Sequence, residues 1–193
     1  MSSTLRFETQ RLLLRPYEEY DSGLTREQMT DPDVVKYLTG KIFDENELTE
    51  RVNASLVRSL CGAISVWVLI DHETGEKLGT SILLPMPIEE TKPTWQDLDL
   101  NSLDSEIKIE VGYILKKSAW GKGYATEACT RLLQFAFEKT KLKEVWAVTD
   151  DGNAASQRVL RKSGMKDVGI TKAYNENLPT FKLTKKEWLT SKL

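Results

Sequence analysis

"IEVGYILKKSAWGKGYATEA", Ile109 to Ala128, is the stretch on which the reading of this chain turns. Ile107, Ile109, Val111, Tyr113 and Leu115 alternate with Lys108, Glu110, Gly112 and Ile114, as the two faces of a strand do. From Tyr124 to Thr140 the apolar period becomes helical, with Ala125, Cys129, Leu132, Leu133, Ala136 and Phe137 on one stripe. Gly121 and Gly123 stand where strand hands over to helix. They suit a plain tight turn or a phosphate cradle. A helix N-terminus leaves about four backbone N–H groups unpaired and carries partial positive charge. Gly123 and Ala125 add little bulk, Lys122 adds a cation at the rim, and no acid enters the first turn before Glu127. A P-loop (G-x-x-x-x-G-K-S/T) fails twice, because Lys116 stands at its leading glycine and Gly123 at its hydroxyl position. A dinucleotide fingerprint has two of its glycines but Thr126 at the third position.

Upstream, "RLLLR" predicts a first strand at Arg11–Arg15 that Pro16 closes. Helical stretches follow at Tyr17–Thr30, at Pro32–Leu38 with Asp31 as cap, and after Asp44, where Leu48, Val52, Leu56, Val57 and Leu60 share a face. "AISVWVLID" and "KLGTSILLP" read as strands joined by His72–Glu76. Residues 85–106 form a long acidic excursion with three prolines. After the central helix come a strand "EVWAVT", a helix capped by Asn153 and stopped by Gly164, and a last strand pair, "KDVGITKAYN" and "PTFKLTKKEW". The order β, helices, ββ, βα, βα, ββ implies a mixed α/β sheet, partly parallel with crossover helices.

The chain has 193 residues, 40% hydrophobic and 29% charged, with net charge -2. That bounds one soluble domain, 1–193, with the excursion at 85–106. Without a basic excess, nucleic acid is not an expected partner. No window reaches membrane-spanning length, and "MSSTLRFETQ" lacks the apolar core of a signal peptide. Cys61 and Cys129 stand far apart, forming neither a metal-ligand pair nor a disulfide framework, so no metal and a reduced, cytoplasmic compartment are expected. His72 is the only histidine and lies in a turn, which argues against Ser-His-Asp or Cys-His chemistry.

"WGKGYATEA" resembles the pyrophosphate loop of the GNAT family of N-acetyltransferases, whose pattern is Gln/Arg-x-x-Gly-x-Gly/Ala. Gly123 and Ala125 match its small residues, and Trp120 replaces the Gln/Arg. Together with "ETQRLLLRP", "EVGYIL" and "NAASQRVLRKSGM", the tryptophan resembles the branch that acetylates ribosomal-protein N-termini. The resemblance implies a mostly antiparallel α/β (α+β) sheet with one splayed parallel pair and helices on both faces. It implies direct transfer from acetyl-CoA to a primary amine, on a small molecule or a peptide N-terminus, by a monomer or homodimer. A CoA- or nucleotide-binding sensor without catalysis is the alternative.

By the same resemblance, Leu115 pairs its backbone with the pantetheine arm, residues Trp120, Gly121, Lys122, Gly123, Tyr124, Ala125 and Thr126 hold the pyrophosphate, and Asn153 bonds the pantetheine. The reaction must deprotonate an amine, stabilise an oxyanion and protonate a thiolate. Glu110, a carboxylate in mid-strand, is the candidate base; the alternative is an exposed residue or an ion pair with Lys108. The tyrosine that many members use for the thiolate is replaced here by Leu160. Ser156, one turn after Asn153, is the candidate donor, with Tyr113 and Tyr174 in reserve. A backbone N–H near Leu115 would serve the oxyanion. The excursion's acids suggest a cationic amine, such as a polyamine, or a solvated flap.

Overall fold

The computed structural model describes residues 5–59, 64–86 and 108–191. Leu60, Cys61 and the excursion beyond Met86 therefore lie outside the described residues. In chain order the elements are β1 (Phe7–Glu8), β2 (Leu12–Pro16), α1 (Ser22–Thr30), α2 (Pro32–Val35), α3 (Glu45–Ser59), β3 (Ser65–Asp71), β4 (Lys77–Pro85) and β5 (Ile109–Leu115). Then follow α4 (Tyr124–Lys139), β6 (Glu144–Val148), α5 (Ala154–Lys162), β7 (Lys166–Ala173), β8 (Glu176–Thr184) and α6 (Lys185–Thr190).

The strands form one eight-stranded sheet ordered β1-β2-β3-β4-β5-β6-β8-β7, antiparallel except between β5 and β6. The mixed sheet with one parallel pair is the architecture expected. β5 alternates as its sequence says. Ile109, Val111 and Leu115 join the main core with the α4 residues Cys129, Leu132, Leu133 and Phe137. Ile114 instead packs with Met29, Val35 and Leu48 of α1–α3, so helices cover both faces. Phe135 of α4 reaches the first strands, its ring centroid 4.6 Å from Phe7 and 6.2 Å from Trp67. Among the described residues no helix is long and apolar enough to cross a membrane.

Several sequence expectations are corrected. Pro16 does not close its strand: it pairs with Trp67, and Tyr17 N–H resumes bonding to Val66 O at 2.9 Å. Proline lacks a donor, but its outward-facing position needs none. The stretch from Tyr17 begins as a 3₁₀ turn at Glu19–Asp21, because the buried Asp21 is held by Arg15 and Lys77, each at 2.6 Å. α2 stops at Val35. Val57 is 52% exposed, since nine residues after Leu48 at about 100° per residue puts it on the opposite side of α3. Ser55 and Ser59 are buried there instead. "KKEW" is helix, not strand: Thr184 and Glu187 form a reciprocal capping box that starts α6. Tyr174 and Asn175 are the turn, not the end of β7. Their φ values, 56° and 63°, are those of a two-residue type I′ hairpin between Ala173 and Glu176.

Candidate active site

β5 and β6 are paired only at Glu110 and Trp146, so the two parallel strands part beyond that point. Lys116 N–H donates to Leu78 O and Met86 N–H to Lys108 O. In an antiparallel ladder this assigns the even-numbered residues of β5 to β4. The N–H and C=O groups of Tyr113 and Leu115, beyond the single bridge, therefore face the gap. A cleft of about 540 Å³ opens there, lined among others by Glu110, Tyr113, Asn153, Ser156 and Tyr174.

Glu110 is 6% exposed. Burial pushes its carboxyl up to about 7, against the opposing effects of a hydrogen bond from Tyr174 and the nearby Arg58 charge. Tyr174 Oη donates to Glu110 Oε1. This tyrosine is delivered by the hairpin turn, in a left-handed conformation that is uncommon outside glycine and asparagine. Burial and the neighbouring carboxylate drive its phenol well above the ordinary value. The Lys108 ion pair does not form: Lys108 Nζ lies over the Trp146 ring, 4.1 Å from its centroid.

Opposite, Asn153 caps α5, its Oδ1 accepting from Ser156 N–H at 3.0 Å. Ser156 Oγ lies 3.0 Å from Tyr113 Oη, which also donates to Ser156 O at 3.1 Å. Burial raises the Tyr113 phenol strongly. Leu160 is buried in the core. The structure thus gathers Glu110, Asn153 and Ser156 in one cleft, together with Tyr113 and Tyr174, the donors held in reserve.

The glycine loop follows the other end of β5, whose last residue, Leu115, lies about 16 Å from Glu110 at the usual strand rise. Gly121 and Gly123 have φ of 74° and 84°, and Gly123 is the N-cap of α4. Both glycines are therefore required by backbone conformation. Among the described residues nothing accepts from the N–H groups of residues 121–126. Unpaired donors, two glycines and a helix N-terminus together fit a diphosphate. Trp120 is not a phosphate-facing side chain: its indole Nε1–H donates to Leu115 O at 3.0 Å, tying the loop to the end of β5 and occupying the carbonyl expected to serve the pantetheine. Thr126 lines an outer hollow beside Gly123.

Sequence reasoning missed Arg11. Its guanidinium donates to Lys122 O at 2.9 Å and to Glu127 Oε2 at 2.7 Å, and stacks 4.6 Å from the Tyr124 centroid. Thr9 Oγ1 and Arg11 N–H also bind Glu127, at 2.6 and 2.9 Å. Burial works to raise the Glu127 carboxyl, but these bonds outweigh it and hold it below its ordinary value. The acid in the first turn is thus turned away from the loop. Tyr124 Oη donates to Asp71 at 2.7 Å, a bond that, with turn N–H groups, holds Asp71 down at about 2.

An acetyltransferase (GNAT) domain model matches residues 11–166. The chain is 27% identical to the uncharacterized N-acetyltransferase p20 of Bacillus licheniformis, over 93% of this chain and 96% of that one. It is 26% identical to FsC-acetyl coenzyme A-N(2)-transacetylase of Aspergillus fumigatus, over 94% and 77%. The fold is similar to that of aminoglycoside acetyltransferase AAC(6')-Ib in complex with coenzyme A, with a TM-score of 0.74, 15% identity, and 94% and 99% of the two chains covered. This chain is an acetyltransferase and belongs to the GNAT family, whose members use acetyl-CoA.

Proposed function

We propose that the protein, acting as one cytoplasmic domain, transfers the acetyl group of acetyl-CoA directly to a primary amine in a ternary complex. The observation that carries this reading is Glu110: a buried carboxyl at about 7, in the cleft where β5 and β6 part, with Ser156 on the opposite wall. A base with this value is about half ionised at neutral pH, so it can accept a proton there and holds it well enough to take one from an ammonium. Tyr174 occupies Oε1 of Glu110 and leaves Oε2 for the amine. The gap-facing N–H groups of Tyr113 and Leu115 supply strand-like partners for the pantetheine and a donor for the developing oxyanion. Ser156, with Tyr113 at 3.0 Å behind it, protonates the leaving thiolate. The N–H groups of residues 121–126 take the pyrophosphate, with Lys122 at its rim, and Asn153 faces the arm from α5.

The test is free-thiol release from acetyl-CoA with a panel of amines and N-terminal peptides. Glu110→Gln should lower turnover at least about a hundredfold, the usual size of a general-base contribution, while acetyl-CoA binding measured by calorimetry stays within a few fold. Unchanged turnover removes Glu110 as the base. Cofactor binding with no thiol release for any amine favours the non-catalytic sensor.

A further inference from the structure

α3 directs Arg51, Ser55 and Arg58 into the same cleft as Glu110. At about 100° and 1.5 Å per residue, the two arginines share one flank of the helix, about 10 Å apart along its axis. Arg11, Arg15 and Arg26 have carboxylate partners, in Glu127, Asp21 and Glu45. Arg51 does not. Its carbonyl accepts from Ser55 Oγ at 2.9 Å, but among the described residues its guanidinium meets neither a hydrogen-bond acceptor nor an acid. Burial, with the Arg58 charge beside it, depresses the Arg51 guanidinium below its ordinary value. Burial depresses Arg58 likewise, against the Glu110 charge.

Three acids also line the cleft, Glu110, Asp150 and Glu176, and none of them is held by Arg51. Glu110 is engaged by Tyr174, and Asp150 accepts from Gly152 N–H at 2.7 Å within its own turn. Lys36 adds a third cation to the lining. Desolvating a guanidinium is costly, and its planar fork matches a carboxylate bidentately.

We propose that Arg51 recognises a carboxylate on the acceptor, so that the substrate is an amine that also bears a carboxylate. This rests on the acetyl-transfer reading above and replaces the cationic amine expected from the acidic excursion. The charge of Arg58 is felt at Glu110, whereas that of Arg51 is felt at Tyr174 and at Tyr17.

The test uses thiol release with glycine, β-alanine, 4-aminobutyrate and 6-aminohexanoate, each beside its carboxamide, together with spermidine. At least one acid should exceed its amide about tenfold or more in kcat/KM, chiefly through KM, as a charged hydrogen bond predicts. Arg51→Gln should bring that ratio to within about threefold, and Arg51→Lys should restore part of it. Amides equal to acids throughout, preference for spermidine, or a ratio that survives Arg51→Gln overturns the inference while leaving acetyl transfer standing. Should no amine release thiol, the acetyl-transfer reading fails on its own. Calorimetry of the CoA-loaded protein then decides the Arg51 claim: acid bound over amide in an Arg51-dependent way supports it, and no such difference overturns it.

Discussion

Replacing Glu110 by Gln separates the titration of one buried carboxyl from everything else in the fold. Glu110 rises from an ordinary 4.5 to about 7 because folding strips its water, which corresponds to about 3 kcal/mol of preference for the protonated form. The folded state therefore holds a proton that the unfolded chain releases. The stability tied to this proton is fully present below about pH 4.5 and is lost as pH rises through about 7. Between pH 5 and pH 8 the wild type should lose about 2–3 kcal/mol relative to Glu110→Gln, which has no group to titrate there. Urea unfolding of both proteins at half-unit pH intervals measures the difference. The same group should govern turnover, with kcat/KM rising with pH to a plateau above about 7. Tyr174→Phe removes the hydrogen bond that lowers this value, so the kinetic midpoint should move to higher pH. A stability difference between wild type and Glu110→Gln that is flat across this range would show that the carboxyl is hydrated in solution, and the argument for a tuned base would fall with it.

Gly79 of β4 lies opposite Leu115, and a methyl there would sit 2.2 Å from Ile114 O and 2.8 Å from Leu115 Cα; Gly79→Ala should cost about 1–3 kcal/mol, read as a lower urea midpoint. Gly123→Ala meets only Arg11 Nη2 at 3.4 Å, but at a φ of 84°; the strain is about 1–2 kcal/mol, and acetyl-CoA affinity by calorimetry should fall about tenfold, with unchanged affinity refuting the loop as the pyrophosphate site. Arg11→Ala frees Glu127 beside the unpaired N–H groups and releases Lys122 O, so it should weaken acetyl-CoA binding more than Lys122→Ala does. The reverse order would make Arg11 a purely structural residue.

Much of the site was legible because local rules decide it. Strand alternation put Glu110 and Val111 on opposite faces, and the change of period at Tyr124 marked the helix. The Asn153 cap needed only its own neighbours, as the bond to Ser156 N–H shows. The missed α6 also had a local signal, the Thr184 to Glu187 capping spacing, which the apolar alternation of "TFKL" obscured. Val57 was misassigned by chaining apolar residues rather than counting helical angle.

The amino-acid sequence by itself determined the strand, the two left-handed glycines and the helix that follows, because each depends on backbone preferences within a few residues. It could not decide partners far apart in the chain. Tyr174 reaches Glu110 across 64 residues, and Arg11 reaches Glu127 across 116. Both pairs exist only because the sheet order sets β8 beside β6 and β2 near α4, and because burial turns an ordinary glutamate into a group that titrates near neutrality. Arg51 is the plainest case. In the sequence it is one charge on an amphipathic helix, and only the packing of α3 over the parted strands places it in the cleft, with no acid among the described residues paired to it.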